Sequence, residues 1–280
     1  MLKPFPYKIN YFLEYKLKSL VQLLEQDDVW IIIDGDEGSG KTNMAAYILY
    51  WFHCMTGRSW YTDASNFYFD TDDLVNWAKS QSNQLINWDE AALGGLSTEW
   101  WSHSQRNLIK FAMTGRKRHH VFVLCIPKAI KLVEYLREDR SHALIHMHTG
   151  KTKKDKGHYM YLTRRGKRML FHLWKQKKIR AYKKYASMRF GGHYGYIPYI
   201  LPELINIDAY DDKKDNAILG IGHKKTSKEH MQLVELRKKV ADMDIKREEL
   251  AKKLGLSTRT LRNWANPLGK SDLEAGNAAI

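Results

Sequence analysis

The sequence predicts a mixed α/β fold in which helices flank a mainly parallel sheet. Three apolar runs have the pattern of buried strands, at 29–33, 84–88 and 120–126. Helical patterns lie between these runs, and strands that alternate with helices build parallel sheets. The chain has 280 residues, of which 44% are hydrophobic and 28% charged. This ordinary globular composition excludes a collagen, a wholly disordered chain and a disulfide scaffold.

The remaining elements follow from hydrophobic periodicity and from turn residues. Helices are expected at 7–26, 41–54, 72–80, 98–112 and 128–138, and further strands at 66–70, 143–148 and 158–163. The last of these strands is expected to pair with 168–174. The length predicts one large and one small domain. We expect an α/β domain at 1–207, a polar linker at 208–229, a small helical unit at 230–267 and a loose tail at 268–280.

A glycine-rich turn follows the first predicted strand. Residues 35–42 match G-x-x-x-x-G-K-[ST] in full. Backbone N–H groups of such a loop face phosphates, Lys41 reaches the β- and γ-phosphates, and the Thr42 hydroxyl binds Mg²⁺. The nucleotide-binding residues predicted in this way are Gly35, Asp36, Glu37, Gly38, Ser39, Gly40, Lys41, Thr42 and Asn43. The pattern predicts a nucleoside triphosphatase of the P-loop type with a RecA-like sheet.

A second motif lies about 50 residues further on, where the strand at 84–88 ends in two acids. It resembles a Walker B strand. Asp89 is expected to hold Mg²⁺, and Glu90 to polarise the attacking water. An N/T-K-x-D match, typical of guanine binding, occurs at 152–155, but it lies in a lysine-rich stretch where such a match easily arises by chance. The expected nucleotide is therefore ATP.

Arginines near these motifs could complete the site. An arginine from a neighbouring subunit can stabilise the charge of the transition state. The candidates are Arg116, Arg118, Arg137 and Arg140, with surface salt bridges or phosphate contacts as the alternative for each. The third strand should end in a polar sensor, but Cys125 occupies that place.

Most of the net charge of +15 is concentrated in one segment. Residues 151–190 hold 15 Lys and Arg against a single Asp, interleaved with aromatic residues. Cations neutralise phosphates, and aromatic rings stack on exposed bases, so the segment favours nucleic acid. An anionic membrane surface and a solvated basic face are the alternatives. The contacts predicted here are Lys151, Lys153, Lys154, Arg164, Arg165, Lys167 and Arg168.

The segment 247–264 has the pattern of a helix-turn-helix. Gly255 allows the turn, and Ser257 is a suitable N-cap for the second helix. Thr258, Arg259 and Arg262 are expected to contact DNA from that helix. A helical hairpin that binds only protein is the alternative.

Targeting signals and metal patterns are weak. Neither Cys54 nor Cys125 has a partner at metal-ligand spacing, which favours buried thiols in a reducing compartment. No secretory signal or membrane-length apolar run is evident, so a cytoplasmic location is expected, in the host cytoplasm if the protein is viral. Four histidines between 142 and 158 fit a strand face better than a zinc site.

Together, these motifs resemble the FtsK/HerA family of P-loop ATPases over about 25–190. The resemblance rests on the loop at 35–42, the pair at 89–90, the basic turn at 114–120 and the strand that ends at Cys125. That family includes DNA pumps, viral genome-packaging ATPases and zonular-occludens-toxin-like phage proteins. The resemblance implies a homo-oligomeric ring, often a hexamer, with ATP between subunits and double-stranded DNA through the centre. The Cys125 position departs from the pattern, as does the lack of the membrane span expected of the toxin-like members.

The leading expectation is an ATP-driven motor for viral or mobile-element DNA. One alternative is a replication or transposition ATPase that loads a partner on DNA. Another is a sequence-specific regulator switched by ATP, which the Cys125 departure favours slightly. A small-molecule kinase fits least, because it explains neither the basic segment nor the helix-turn-helix.

Overall fold

The computed structural model describes residues 4–89, 98–150, 155–177 and 192–222, with side chains described except in 98–105, 177 and 218–222. The chain divides after Leu219 into two units, 1–219 and 220–280, and the fold described below is that of the first. The predicted helix-turn-helix at 230–267 and the tail at 268–280 lie outside the described residues.

A seven-stranded sheet forms the centre of this unit, in the order β2-β3-β4-β1-β5-β6-β7. The strands are β1 (Val29–Gly35), β2 (Phe67–Tyr68), β3 (Leu85–Asp89), β4 (Val121–Ile126), β5 (Ala143–His148), β6 (His158–Thr163) and β7 (His193–Tyr196). The helices are α1 (Tyr11–Leu23), α2 (Lys41–Thr56), α3 (Thr71–Ser80), α4 (Thr98–Thr114), α5 (Arg164–Lys177), α6 (Leu201–Leu204) and α7 (Ile207–Gly222). Strands β2 to β5 and β1 pair in parallel, whereas β6 and β7 extend the sheet antiparallel. The predicted α/β architecture is confirmed.

Strand β1 lies at the centre of the parallel part. All seven of its residues are buried, because both sheet faces are covered, and such strands are continuous apolar runs. Strand β4 lies between β1 and β3, with Ile33 opposite Cys125 and Asp89 opposite Cys125 on the other side. The ends of β1 and β3 therefore meet at the same edge of the sheet, which we call the carboxyl edge.

Two elements differ from the prediction. Residues 168–174 belong to helix α5, and β6 pairs with β7 instead. Leu170 and Phe171 are buried in α5 while the Arg and Lys residues around them are mostly exposed, a helical rather than a strand period. The helix expected at 128–138 consists of two short turns, Ala129–Lys131 and Tyr135–Arg140.

The predicted linker at 208–229 begins as helix α7, which spans Ile207–Gly222. Tyr210 is buried in the core, so this part of the segment belongs to the first unit. The linker prediction failed here because the composition is polar, and the few buried residues of α7 give little periodicity. Among the described residues, no helix has the length and apolar character needed to cross a bilayer.

Candidate active site

The phosphate loop connects β1 to α2 at the carboxyl edge. Strand β1 ends at Gly35 (φ +140°), and Gly40 (φ +98°) precedes the first residue of α2. A Cβ on Gly35 would overlap the carbonyl oxygen of Met147 on the neighbouring strand β5, so only glycine fits there. The positive φ angles turn the chain sharply enough to place the N-terminus of α2 behind the loop.

Lys41 folds back over this loop. Its ammonium donates hydrogen bonds to the carbonyl oxygens of Gly35 and Asp36, both at 2.9 Å. Ser39 closes the turn by donating to the Asp36 carbonyl at 2.7 Å. The ammonium therefore lies within the curve of the loop, where a phosphate would meet it together with the loop N–H groups.

Thr42 and Asp89 meet across the gap between α2 and β3, as the two motifs predict. The Thr42 hydroxyl donates to Asp89 Oδ2 at 2.7 Å, and Asp89 is 1% exposed. A hydroxyl and a carboxylate are the hard oxygen ligands that Mg²⁺ prefers, and nucleotide phosphates supply further oxygens. The chemistry of this pair fits Mg²⁺. Glu90 lies outside the described residues.

Sequence reasoning missed Tyr210, which is also bound to Asp89. Its hydroxyl donates to Asp89 Oδ2 at 2.9 Å. Burial, and then the Asp89 charge, raise the pKa of Tyr210 well above its ordinary value, so the hydroxyl keeps its proton. No local signal could have found this contact, because 121 residues separate the partners and the segment around Tyr210 is polar.

A cavity of about 920 Å³ opens beside the phosphate loop. Lys41, Thr42 and Asp89 line one part of it, and Tyr196, Ile197 and Tyr199 line another. Asn43 fixes the second part to α2, since its side chain donates to the Pro198 carbonyl at 2.9 Å and accepts from Ile200 N–H at 2.9 Å. The cavity thus combines a polar region suited to phosphates with an aromatic and apolar region. Lys156 and Lys214, which the sequence analysis did not single out, also line it.

Cys125 lies between the two motifs, where a polar sensor was expected. Its thiol contacts Asn87 Oδ1 at 3.4 Å and the Lys41 carbonyl at 3.7 Å. Burial, and then the Asp89 charge, raise the pKa of Cys125 well above its ordinary value. The group is a neutral thiol packed against α2, which offers a phosphate only a weak donor.

Next to the loop, Asp34 is fully buried on β1, and its side chain contacts β5 and the turn that follows β4. It accepts a hydrogen bond from Ala129 N–H at 3.1 Å and pairs with His146 Nδ1 at 2.9 Å. Burial by itself lowers the pKa of His146, but the hydrogen bond and the attraction to Asp34 outweigh burial, and the pKa is raised. The pair fixes the end of β1 just before Gly35.

In the structure, Arg140 is not available to contact nucleotide phosphates. Its side chain is 4% exposed and forms ion pairs with Asp27 and Asp28, at the start of β1. That is the amino edge of the sheet, opposite the phosphate loop. The Arg140 prediction was wrong because a buried carboxylate near the chain start holds the guanidinium. Arg137 is also buried and donates to the Leu132 carbonyl at 2.9 Å.

Arg116 and Arg118 lie in a short 3₁₀ turn just before β4, also at the amino edge. Arg118 is half-buried and donates to the Gln81 carbonyl at 2.9 Å, whereas Arg116 is exposed. A strand of seven residues is about 20 Å long, so neither can reach the loop of its own subunit. Their role across a subunit interface stays a prediction.

The expected nucleic-acid contacts divide into buried and exposed residues. Lys167 is fully buried, and its ammonium donates to the carbonyl oxygens of Arg137 and Glu138 and to Ser141 Oγ, at 2.6–2.8 Å. The prediction that Lys167 contacts DNA was therefore wrong. Arg168 is exposed but pairs with Asp139 at 3.0 Å.

Two of the remaining predicted contacts are exposed on α5. Arg164 donates to the Asp139 carbonyl, and Arg165 is exposed on the same turn. The other predicted contacts lie outside the described residues: Lys151, Lys153, Lys154, Thr258, Arg259 and Arg262.

Together, the sheet order, the loop between β1 and α2, and the Thr42–Asp89 contact define a RecA-like P-loop nucleoside triphosphatase fold. No family model and no curated protein matches the sequence. One solved structure with a similar chain is a point mutant of RuvB from Thermotoga maritima, with 15% identity over 94% of this chain and 88% of that one. The TM-score is 0.31, so the fold assignment rests on the geometry above.

Proposed function

We propose that the protein is a Mg²⁺-dependent ATPase that acts on double-stranded DNA as an oligomer, in the manner of a DNA motor. The contact between Thr42 and Asp89 carries the nucleotide part of this proposal, because it brings two distant motifs to 2.7 Å at a cavity that Lys41 also lines. The concentration of 15 basic residues in 151–190 supports the DNA part. The proposed substrate is viral or mobile-element DNA, and the proposed location of the protein is the cytoplasm.

In this proposal, each residue has a role set by its place. The loop N–H groups and the N-terminus of α2 receive the phosphates, and Lys41 neutralises the β- and γ-phosphate charge. Thr42 and Asp89 would hold Mg²⁺, which supplies neutralisation of the phosphate oxygens when bound. Glu90 follows Asp89 directly in the sequence, and its proposed role is to orient and polarise the attacking water.

The decisive experiment measures ATP hydrolysis with and without double-stranded DNA, at low and moderate salt. The proteins are the wild type, Lys41→Ala, Glu90→Gln and the control Lys79→Ala on the exposed side of α3. We expect turnover that rises with DNA and falls with salt, and a loss of about 100-fold in the two site variants. Hydrolysis that is indifferent to DNA would overturn the motor and favour the loading ATPase.

The ATP-switched regulator is the second candidate, favoured by the buried neutral thiol at the sensor position. A weak donor there predicts slow turnover, which suits a switch. A footprint at one fixed palindromic sequence, combined with slow hydrolysis, would support the regulator over the motor.

A further inference from the structure

Helix α7 contributes one side chain to the cavity lining and holds a second against Asp89, although it comes from the polar segment after the sheet. Tyr210 binds Asp89, and Lys214 lines the same cavity as Lys41 and Thr42. Residues four apart lie on the same face of a helix, so both side chains project from one face of α7. We propose that α7 is a working part of the nucleotide site: Tyr210 orients Asp89 for Mg²⁺, and Lys214 binds the nucleotide phosphates. This inference rests on the nucleotide part of the proposed function.

The geometry around Asp89 supports a positioning role for Tyr210. Its hydroxyl and that of Thr42 donate to the same oxygen, Oδ2, at 2.9 and 2.7 Å. Two donors on one oxygen fix the rotation of the carboxylate, and such partners of metal ligands strongly influence metal affinity.

The Tyr210 ring is itself held in place. It is 6% exposed and packs edge-on against Phe67 and Phe69, with ring centroids 5.6 and 5.5 Å away. The hydroxyl is therefore aimed at Asp89 by rigid packing on β2 and the residue after it. In this contact the phenol is the donor and the Asp89 carboxylate is the acceptor.

The ammonium groups of Lys214 and its neighbour Lys213 have different surroundings. Lys213 donates to the Ala64 carbonyl at 3.3 Å and lies 4.9 Å from the centre of the Tyr68 ring, so it helps to dock α7 on the domain. Lys214 is half-buried and faces the cavity with Lys41, Thr42 and Asp89. Lys214 would therefore add a second lysine of the same subunit, besides Lys41, to the cations that meet the phosphates.

The first test uses Tyr210→Phe, which keeps the ring and removes only the hydroxyl. Tyr47→Phe is the matched control, because the Tyr47 hydroxyl is also buried and donates to the Lys8 carbonyl at 2.7 Å, with no contact to Asp89. Calorimetry measures binding of ADP and of a non-hydrolysable ATP analogue in EDTA and across a Mg²⁺ titration. We expect Tyr210→Phe to bind as the wild type does in EDTA, but to need about 10-fold more Mg²⁺ for tight binding.

The control should keep the wild-type Mg²⁺ dependence, and thermal melts should show that both variants are folded. An unchanged Mg²⁺ titration in Tyr210→Phe would overturn the positioning role. Equal shifts in Tyr210→Phe and Tyr47→Phe would also overturn it, because a general loosening of the fold would then be the cause.

The second test compares Lys214→Ala and Lys214→Arg with the exposed Lys79→Ala. We expect Lys214→Ala to bind the ATP analogue about 10-fold more weakly, Lys214→Arg to recover most of that loss, and Lys79→Ala to match the wild type. Wild-type affinity in Lys214→Ala would remove Lys214 from the site. If the wild type itself binds neither nucleotide, the proposed function fails together with this inference; if it binds both and the variants do too, only the inference fails.

Discussion

At the scale of single residues, burial separates the basic side chains that stabilise the fold from those that can contact a partner. Lys167 and Arg165 are two positions apart in the basic segment, and the sequence pattern treats them alike. In the structure, Lys167 is fully buried with three oxygen acceptors, whereas Arg165 is exposed. The charge of Lys167 is therefore used inside the protein, and of these two residues only Arg165 is free to contact DNA.

Replacing Lys167 with Met should destabilise the protein by about 2–4 kcal/mol, because two carbonyl groups and a hydroxyl lose their donor in a dry site. Arg165→Ala should change stability by less than about 0.5 kcal/mol but weaken DNA binding. Urea unfolding and a DNA-binding titration measure the two effects. If Lys167→Met is as stable as the wild type and Arg165→Ala is the unstable variant, this assignment is wrong.

The surroundings of His120 predict that the folded protein loses stability in acid. Its Nδ1 accepts from Gln84 N–H and its Nε2 lies 3.1 Å from the Ala78 carbonyl, so the neutral ring is the one that fits. Burial lowers the pKa of His120 to about 4, from an ordinary 6.5. Between these values the unfolded chain binds more protons, so stability is complete above pH 6.5 and falls toward pH 4 by about 3 kcal/mol. His120→Gln should flatten this part of the pH dependence of Tm, and the exposed His172→Gln should leave it unchanged.

At the scale of elements, the phosphate loop depends on two glycines for different reasons. Gly35 has a positive φ and no room for a Cβ against Met147, whereas Gly38 has a positive φ in open space. The first glycine therefore serves the contact between β1 and β5, and the second serves only the turn.

Gly35→Ala should cost about 2–4 kcal/mol, since steric overlap with backbone adds to the strain of its φ angle. Gly38→Ala should cost about 1 kcal/mol, or 2–4 °C in Tm, because only the φ angle is strained. Thermal unfolding distinguishes the two. Equal losses in both variants would show that the β1–β5 contact adjusts to a side chain.

Elements with strong local patterns are the ones that the sequence could predict. Strands β1, β3 and β4 are buried on both faces, so each is an apolar run with turn signals at its ends. The loop and Asp89 follow those strands, which is why the motifs located half of the site. Helices α5 and α7 were misassigned because each buries a narrow stripe in a polar sequence. The contact between Tyr210 and Asp89 depends on how α7 packs against the sheet, and a local sequence pattern does not predict that packing.

At the scale of the whole molecule, the sheet separates the functional groups into two edges. The phosphate loop, Asp89 and the cavity occupy the carboxyl edge, while Arg116 and Arg118 occupy the amino edge. On α5, Arg168 and Lys175 are partly neutralised by Asp139 and Glu134. The basic charge that remains is therefore smaller on this helix than the sequence count implies, and DNA binding should depend most on charges that have no acidic neighbour.

The separation of the edges gives a test for a site shared between subunits. Lys41→Ala damages the phosphate loop, and Arg116→Ala removes an exposed arginine about 20 Å from that loop. If Arg116 acts on the site of a neighbouring subunit, each variant alone should hydrolyse ATP poorly. Mixing the two should restore part of the activity, because an intact loop in one subunit can then meet an intact Arg116 from the next. A mixture of Lys41→Ala with Thr42→Ala is the control and should stay inactive, since neither subunit then has an intact phosphate loop. Light scattering verifies that the variants assemble together. Mixed oligomers without recovered hydrolysis would show that Arg116 does not complete the site, and would leave Lys214 on α7 as the cation supplied by the same subunit.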